Sequence, residues 1–211
     1  MSADKRISIT KLLSTKFVEM EIDGPWKDCL GERPQMSGIW LMWGGSGNGK
    51  TRGALQMAKY FTQFSDVAYY DFEEGKRKTM KRACEQEGMK EVAKHFYLYG
   101  AMDVEQMKEK MRQRKSPRIV FINSFQYLGW TKKQYQDFKN EFGETHLVIF
   151  ISHAEGRQPA GKVARFVRYD ADCKILAEGF KLFNAGRYGG GIPYIISDEK
   201  AREYWGEEAL K

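Results

Sequence analysis

Apolar residues along the chain alternate between two rhythms. Short runs with little polar interruption occur at Ile39-Trp40-Leu41-Met42-Trp43, Val67-Ala68-Tyr69-Tyr70-Asp71-Phe72, His95-Phe96-Tyr97-Leu98-Tyr99, Ile119-Val120-Phe121-Ile122 and His146-Leu147-Val148-Ile149-Phe150-Ile151. Runs of this kind read as strands buried on both faces. Between them lie polar-rich stretches with apolar residues at helical spacing, near 52–61, 75–87, 103–115 and 131–141. The alternation predicts an α/β fold with a mostly parallel central sheet flanked by helices. Past Ser152-His153 the pattern changes. A Gly-, Pro- and Arg-rich stretch from Ala154 to Lys162 is expected as a loop, followed by strand-like pieces near 173–177, 180–184 and 192–197. These are expected to add antiparallel strands in the C-terminal third. Upstream, Ile9 to Phe17 is a short amphipathic piece and Asp23-Gly24-Pro25-Trp26 reads as a turn. The expected organisation is an N-terminal extension over 1–37, a core over 38–198 and a tail over 199–211.

The first strand runs directly into Gly44-Gly45-Ser46-Gly47-Asn48-Gly49-Lys50-Thr51, a complete G-x-x-x-x-G-K-T phosphate-binding loop, and Arg52 continues into the following helix. Glycines allow successive backbone N–H groups to turn toward a phosphate, and a helix N-terminus adds partial positive charge. Lys50 is placed to reach the β- and γ-phosphates, and the Thr51 hydroxyl to ligate Mg²⁺. The expected cofactors are therefore ATP and Mg²⁺. A guanine-reading N-K-x-D motif does not follow the strand at 119–122.

Composition narrows the setting. With 211 residues, 42% of them hydrophobic, the chain suits one globular core. A formal net charge of +7 leans toward a polyanionic partner. Cys29, Cys84 and Cys173 are widely spaced, which argues against a disulfide framework or zinc site. No apolar run reaches bilayer length and Met1 to Arg6 precede no signal-like segment, so the expectation is a cytoplasmic protein without membrane contact.

Other candidates cluster at strand ends. Glu73 and Glu74 follow the second strand, where a carboxylate can orient water or simply favour the start of the next helix. Asn123 ends the strand at 119–122, where a metal-binding strand ordinarily ends in aspartate; an amide brings no charge to the ion. Asp71, at the end of the second strand, is a candidate to compensate for the missing charge. Ser152-His153 ends the most apolar strand, as a γ-phosphate sensor or as a surface histidine. The following basic stretch carries Arg157, Lys162, Arg165 and Arg168 with Phe166 interleaved. That pattern suits single-stranded nucleic acid, a phosphate-covering lid or a solvated loop. Arg187 sits at a turn after a strand, where an arginine serves as a finger or is merely exposed.

Taken in this order, residues 36–198 resemble the RecA-like ATPase core shared by RecA, RadA and the replicative helicases of the DnaB type. Val67 to Glu74 looks like that family's strand ending in a catalytic glutamate, which implies Glu73 as general base. Ile122-Asn123-Ser124-Phe125-Gln126 is similar to its I-D-S-x-Q segment, with Asn123 in place of aspartate. Val148 to His153 resembles the strand ending in a Gln or His sensor, followed by a DNA-contacting loop. Gly186-Arg187-Tyr188-Gly189 is similar to a K-x-R-F-G element, with Ala185 in place of the lysine and Arg187 as a finger acting across a subunit interface. The resemblance implies a RecA-like P-loop NTPase fold, ATP hydrolysis, action on DNA in recombination, replication or repair, and a homo-oligomeric ring or filament. It also suggests a stand-alone core of the sort found in phages and mobile elements. Two alternatives stand beside it. One is an ATP-gated assembly or regulatory module with negligible hydrolysis, in which aspartate at position 123 should raise turnover. The other is a small-molecule kinase using the basic stretch as a lid.

Overall fold

The computed structural model describes residues 6–100 and 102–207; the first five residues and the last four of the tail segment lie outside it. In chain order the elements are α1 (Ile9–Ser14), α2 (Gly24–Leu30), β1 (Gly38–Gly44), α3 (Lys50–Phe61), β2 (Val67–Asp71), α4 (Lys78–Gln86), β3 (Phe96–Gly100) and α5 (Val104–Arg112). There follow β4 (Ile119–Asn123), α6 (Lys132–Phe142), β5 (Leu147–Glu155), β6 (Gln158–Pro159), α7 (Lys162–Asp170), β7 (Cys173–Glu178), β8 (Lys181–Asn184), β9 (Tyr194–Ile195) and α8 (Asp198–Trp205). The strands form one sheet in the order β3-β2-β4-β5-β1-β7-β8-β9, with β6 paired to β5. The fold is α/β, with a mostly parallel central sheet and antiparallel strands at its C-terminal side.

Side chains alternate across each strand, so one run feeds two cores. Trp40 and Met42 of β1 face α3, together with Tyr69, Phe121 and Ile149. Ile39, Leu41 and Trp43 face the opposite layer with Tyr70, Ile122, Phe150, Tyr135 and Phe138. Helix starts are marked by reciprocal capping: Asp103 with Gln106 opens α5, and Thr131 with Gln134 opens α6.

The turn read at Asp23–Trp26 is instead the start of α2, with Asp23 as N-cap and Pro25 in the first turn, where its missing N–H costs nothing. Trp26 stacks on Tyr194 at 3.7 Å and on Tyr60 at 5.9 Å, so this segment covers the α3 side of the core. The expected loop after His153 is also corrected. β5 continues to Glu155, turns through the short β6, and residues 162–170 form α7, which buries Ala164 and Val167. That helix is the crossover which makes β7 parallel to β1 rather than antiparallel, since parallel neighbours need a connection of this length. β8 and β9 follow as antiparallel strands, and β9 spans only two residues.

All three cysteines are unpaired, and burial pushes the Cys29 thiol up to about 11. Among the described residues no helix is long and apolar enough to cross a membrane.

His146, just before β5, is buried against Ser116 (3.2 Å) and Thr145 (2.8 Å), with its ring against Phe142. Burial, with Arg118 nearby, lowers its pKa below the ordinary 6.5. The unfolded chain therefore takes up a proton that the folded chain resists. Stability is expected to drop as pH falls from the ordinary value through the lower folded one. Thermal unfolding between about pH 5 and pH 8 should show this loss, and His146→Asn should flatten it.

Candidate functional site

The parallel register places β1, β5, β4 and β2 side by side with their carboxyl ends at one edge. Gly44 lies opposite His153, and Asp71 opposite Asn123. β5 stands between the phosphate-loop strand and the strand ending in Asn123. A loop binding charged ligands at this edge is what open parallel sheets favour.

Residues 45–49 bridge β1 and α3. Gly47 (φ 75°) and Gly49 (φ 86°) adopt the left-handed conformation that other residues avoid. At Gly49 a Cβ would also come within 2.9 Å of Phe180 and 3.1 Å of Ile196. Lys50 Nζ donates to the Gly45 carbonyl at 2.9 Å, which holds the ammonium over the loop. Burial lowers the Lys50 pKa, an effect that Glu73 opposes. Asn48 ties the loop to the rest of the fold: its amide donates to the Ser46 carbonyl (3.2 Å), and its Oδ1 accepts the Gly179 N–H (2.8 Å). Trp205 donates to the Gly179 carbonyl at 3.0 Å, so the β7–β8 turn is clamped from both sides and Phe180 is presented to the loop.

The two glutamates after β2 have different surroundings. Glu74 accepts the Thr79 hydroxyl in the first turn of α4. Glu73 Oε2 lies 3.0 Å from His153 Nε2. A carboxylate only accepts, so Nε2 carries the hydrogen. Ser124 Oγ lies 3.3 Å from the same nitrogen. Gln126 clips the strand end: its Oε1 accepts the His153 N–H (3.1 Å), while its amide donates to Ser152 Oγ (2.8 Å) and the Ala160 carbonyl (3.0 Å). Asn123 donates its amide to Asp71 Oδ1 at 3.0 Å, which leaves its own oxygen as acceptor.

These groups converge on a cleft of about 310 Å³ lined by Ser46, Gly47, Gly49, Lys50, Thr51, Arg52, Glu73, Glu74, Asn123 and Phe180. A larger groove of about 530 Å³ lies beside it, against α4 and β3. Its floor is mostly apolar (Met80, Cys84, Met89, Leu98) and none of the phosphate-loop residues lines it, so the smaller cleft is the candidate site. Among the described residues no three His, Cys, Asp or Glu side chains are grouped to hold a metal. Thr51 and Asn123 both line the cleft, a sparse donor set that suits an ion retaining much of its water.

The remaining sequence-predicted residues lie elsewhere or are engaged otherwise. Arg52 pairs with the largely buried Glu87 at 2.5 Å. Arg157 pairs with Glu178 (3.1 Å) and Arg165 with Glu155 (2.5 Å). Arg168 lies over the Trp43 ring, 5.1 Å from its centroid, and Lys162 is exposed at the start of α7. Phe166 is not presented to solvent as an interleaved aromatic: it packs edge-on against Tyr135, under Lys132. The helical turn that brings Ala164 and Val167 into the core also turns Phe166 inward. Arg187 pairs with Asp172 at 2.9 Å, near Gly38 at the start of β1. A strand of that length places it roughly 20 Å from the phosphate loop.

The anchoring by Asn48, the placement of Phe180 and the Asn123–Asp71 bond are not legible in the sequence. Asn48 and Phe180 carry no local signal for partners more than 130 positions away. Asp71 had one: a carboxylate ending a buried strand with no cation beside it.

No protein-family model matches the chain, and no curated protein matches it in sequence. Among solved structures, the flagellar accessory protein FlaH from Methanocaldococcus jannaschii is similar with a TM-score of 0.61 and 15% identity, over 86% of this chain and 96% of that one. At that identity the likeness shows the fold alone, an α/β fold with a mostly parallel central sheet.

Asn48→Ala removes its bonds to Ser46 and Gly179 without touching the glycine geometry. The expected result is a local loss of about 1–2 kcal/mol. Amide exchange should accelerate at Gly179 and across 45–49 while the β4–β5 core stays protected.

Proposed function

We propose that this chain binds ATP through its phosphate loop and hydrolyses it, as a RecA-type P-loop ATPase. The observation that carries the reading is the convergence of Lys50, Thr51, Glu73 and Asn123 in one cleft, with His153 bonded to Glu73 from the intervening strand. Backbone N–H groups of 45–49 and the N-terminus of α3 bind phosphate oxygens, and the Lys50 ammonium adds a full charge. Glu73 orients the attacking water and accepts its proton. His153 fixes the rotamer of Glu73, and Gln126 fixes the backbone of His153. Mg²⁺ would be held by Thr51 and Asn123 and would neutralise charge on the phosphate oxygens.

A DNA partner and assembly of several copies belong to the same proposal. Their support is positional. β5 carries His153 and continues without interruption into the hairpin bearing Arg157, so a shift at the cleft has a short path to the basic segment. Ion pairs to Glu178 and Glu155 partly offset the charge that Arg157 and Arg165 offer, while both stay exposed together with Lys162. Arg187, at the far end of β1, can meet a nucleotide only on a neighbouring copy. A second reading, ATP binding with negligible turnover, is favoured by the neutral Asn123.

Steady-state ATP hydrolysis with Mg²⁺, with and without single-stranded DNA, separates these readings. Lys50→Ala is expected to abolish both binding and turnover. Glu73→Gln is expected to lower kcat about 10²–10³-fold while ATP affinity changes by no more than about 3-fold. ATP binding without hydrolysis in the unmodified chain would favour the second reading, and turnover indifferent to Glu73→Gln would remove Glu73 from the mechanism. ATP affinity should also weaken toward alkaline pH sooner than for a lysine of ordinary pKa 10.5, because burial lowers that of Lys50 and the neutral amine loses its attraction for phosphate. A fluorescent-nucleotide titration across that range checks the direction.

A further inference from the structure

Asp71 is only 2% exposed, and a carboxylate buried that far is costly unless its oxygens are fully engaged. Here four donors serve it. Oδ1 accepts the backbone N–H groups of Glu73 (3.1 Å) and Glu74 (3.2 Å) and the Asn123 amide (3.0 Å); Oδ2 accepts the Gly75 N–H (3.1 Å). Three consecutive backbone N–H groups directed at one side chain fix the path of 73–75. The same segment is packed from the other side by the end of β3, where a Cβ on Gly100 would lie 2.9 Å from the Gly75 Cα. Glu73 leaves the sheet at a defined point, and from that point its carboxylate reaches His153.

The arrangement also constrains position 123. Asp71 and Asn123 face each other across adjacent parallel strands, and Asp71 can only accept. The side chain opposite must therefore donate. An amide does so, whereas a carboxylate would set two like charges about 3 Å apart inside the fold.

We propose that Asp71 is the positioning residue for Glu73, and that Asn123 is the donor it requires: the ends of β2 and β4 hold one carboxylate between them, carried on β2. The proposal rests on the ATPase reading for its catalytic consequence but not for its structural core. It reverses the expectation that aspartate at 123 raises turnover.

The test compares Asp71→Ala, Asp71→Asn, Asn123→Asp and the exchanged pair Asp71→Asn/Asn123→Asp, with ATP affinity measured alongside kcat. Asp71→Ala should lower kcat about 10–100-fold, the cost of a misplaced catalytic group, with ATP affinity within about 3-fold, since the phosphate loop is on another strand. Asn123→Asp should lower kcat, and the exchanged pair should recover about tenfold of that loss, which a general weakening of the fold would not do. Unchanged kcat in Asp71→Ala, or a rise in Asn123→Asp with Asp71 in place, overturns the proposal. Should Asp71→Ala fail to fold, Asp71→Asn, which keeps one acceptor oxygen, carries the same comparison.

Amide exchange decides independently of turnover. Loss of Asp71 should accelerate exchange at Glu73, Glu74 and Gly75 about tenfold or more, while 45–49 is unaffected. Retained protection there overturns the proposal. Accelerated exchange in a protein that binds but does not hydrolyse ATP upholds the anchoring and overturns only the ATPase reading.

Discussion

The placement of β5 between β1 and β4 is the constraint on which the rest depends. Parallel pairing on both sides, with Ile149 opposite Trp40 on one flank and Phe121 on the other, leaves no freedom to slide. A slip of one residue would turn the buried faces of β5 to the wrong layers. That register determines that Gly44, His153, Asn123 and Asp71 emerge at one edge. Glu73, Asn123 and His153 each lie at or just past the end of a strand whose preceding residues are apolar and buried.

Polar side chains at such an edge are half in a low-dielectric interior, and the structure engages them with one another. Gln126 satisfies the backbone and hydroxyl at the end of β5; Asp71 gathers the backbone after β2; Asn123 completes Asp71. Each of these links joins neighbouring strands or the loop leaving one. The result is a cleft whose walls are fixed by hydrogen bonds rather than by helix packing. Within it Glu73 and Lys50 remain partly accessible, as groups acting on a ligand must. The electrostatics follow from this arrangement: Lys50 is desolvated and so more readily neutralised than a surface lysine, and Glu73 partly offsets that.

The basic segment after His153 shows how tertiary context can change the meaning of a composition. Four cations within twelve residues read as an exposed polyelectrolyte. In the fold, two pair with the chain's own carboxylates, a third lies over the Trp43 ring, and the interleaved phenylalanine is partly buried against the core. The segment's first duty is structural, since α7 is the crossover that returns the chain to pair β7 with β1. The helix and the parallel pairing of β7 go together: without α7 there is no route back to a parallel neighbour. The spacing of Val163, Ala164 and Val167 after Gly161 was the available signal, outweighed by the glycines, proline and arginines around it.

What the chain by itself determined is what depends on local spacing: the parallel strands β1 to β5, the phosphate loop, the helices beginning near Asp103 and Thr131, and the positions of Glu73, Asn123 and His153 at or close to strand ends. Burial on both faces writes continuous apolar runs, and a phosphate nest needs its glycines at fixed intervals, so both are legible without neighbours. Only the tertiary structure decided which of two adjacent glutamates meets His153, why an amide rather than a carboxylate ends β4, what holds the phosphate loop to the β7–β8 turn, and where Arg187 lies. Each of those is a contact between residues far apart in sequence, or a choice between neighbours made by such a contact. Strand order and register create them, and one residue's identity does not encode which strand will lie beside it.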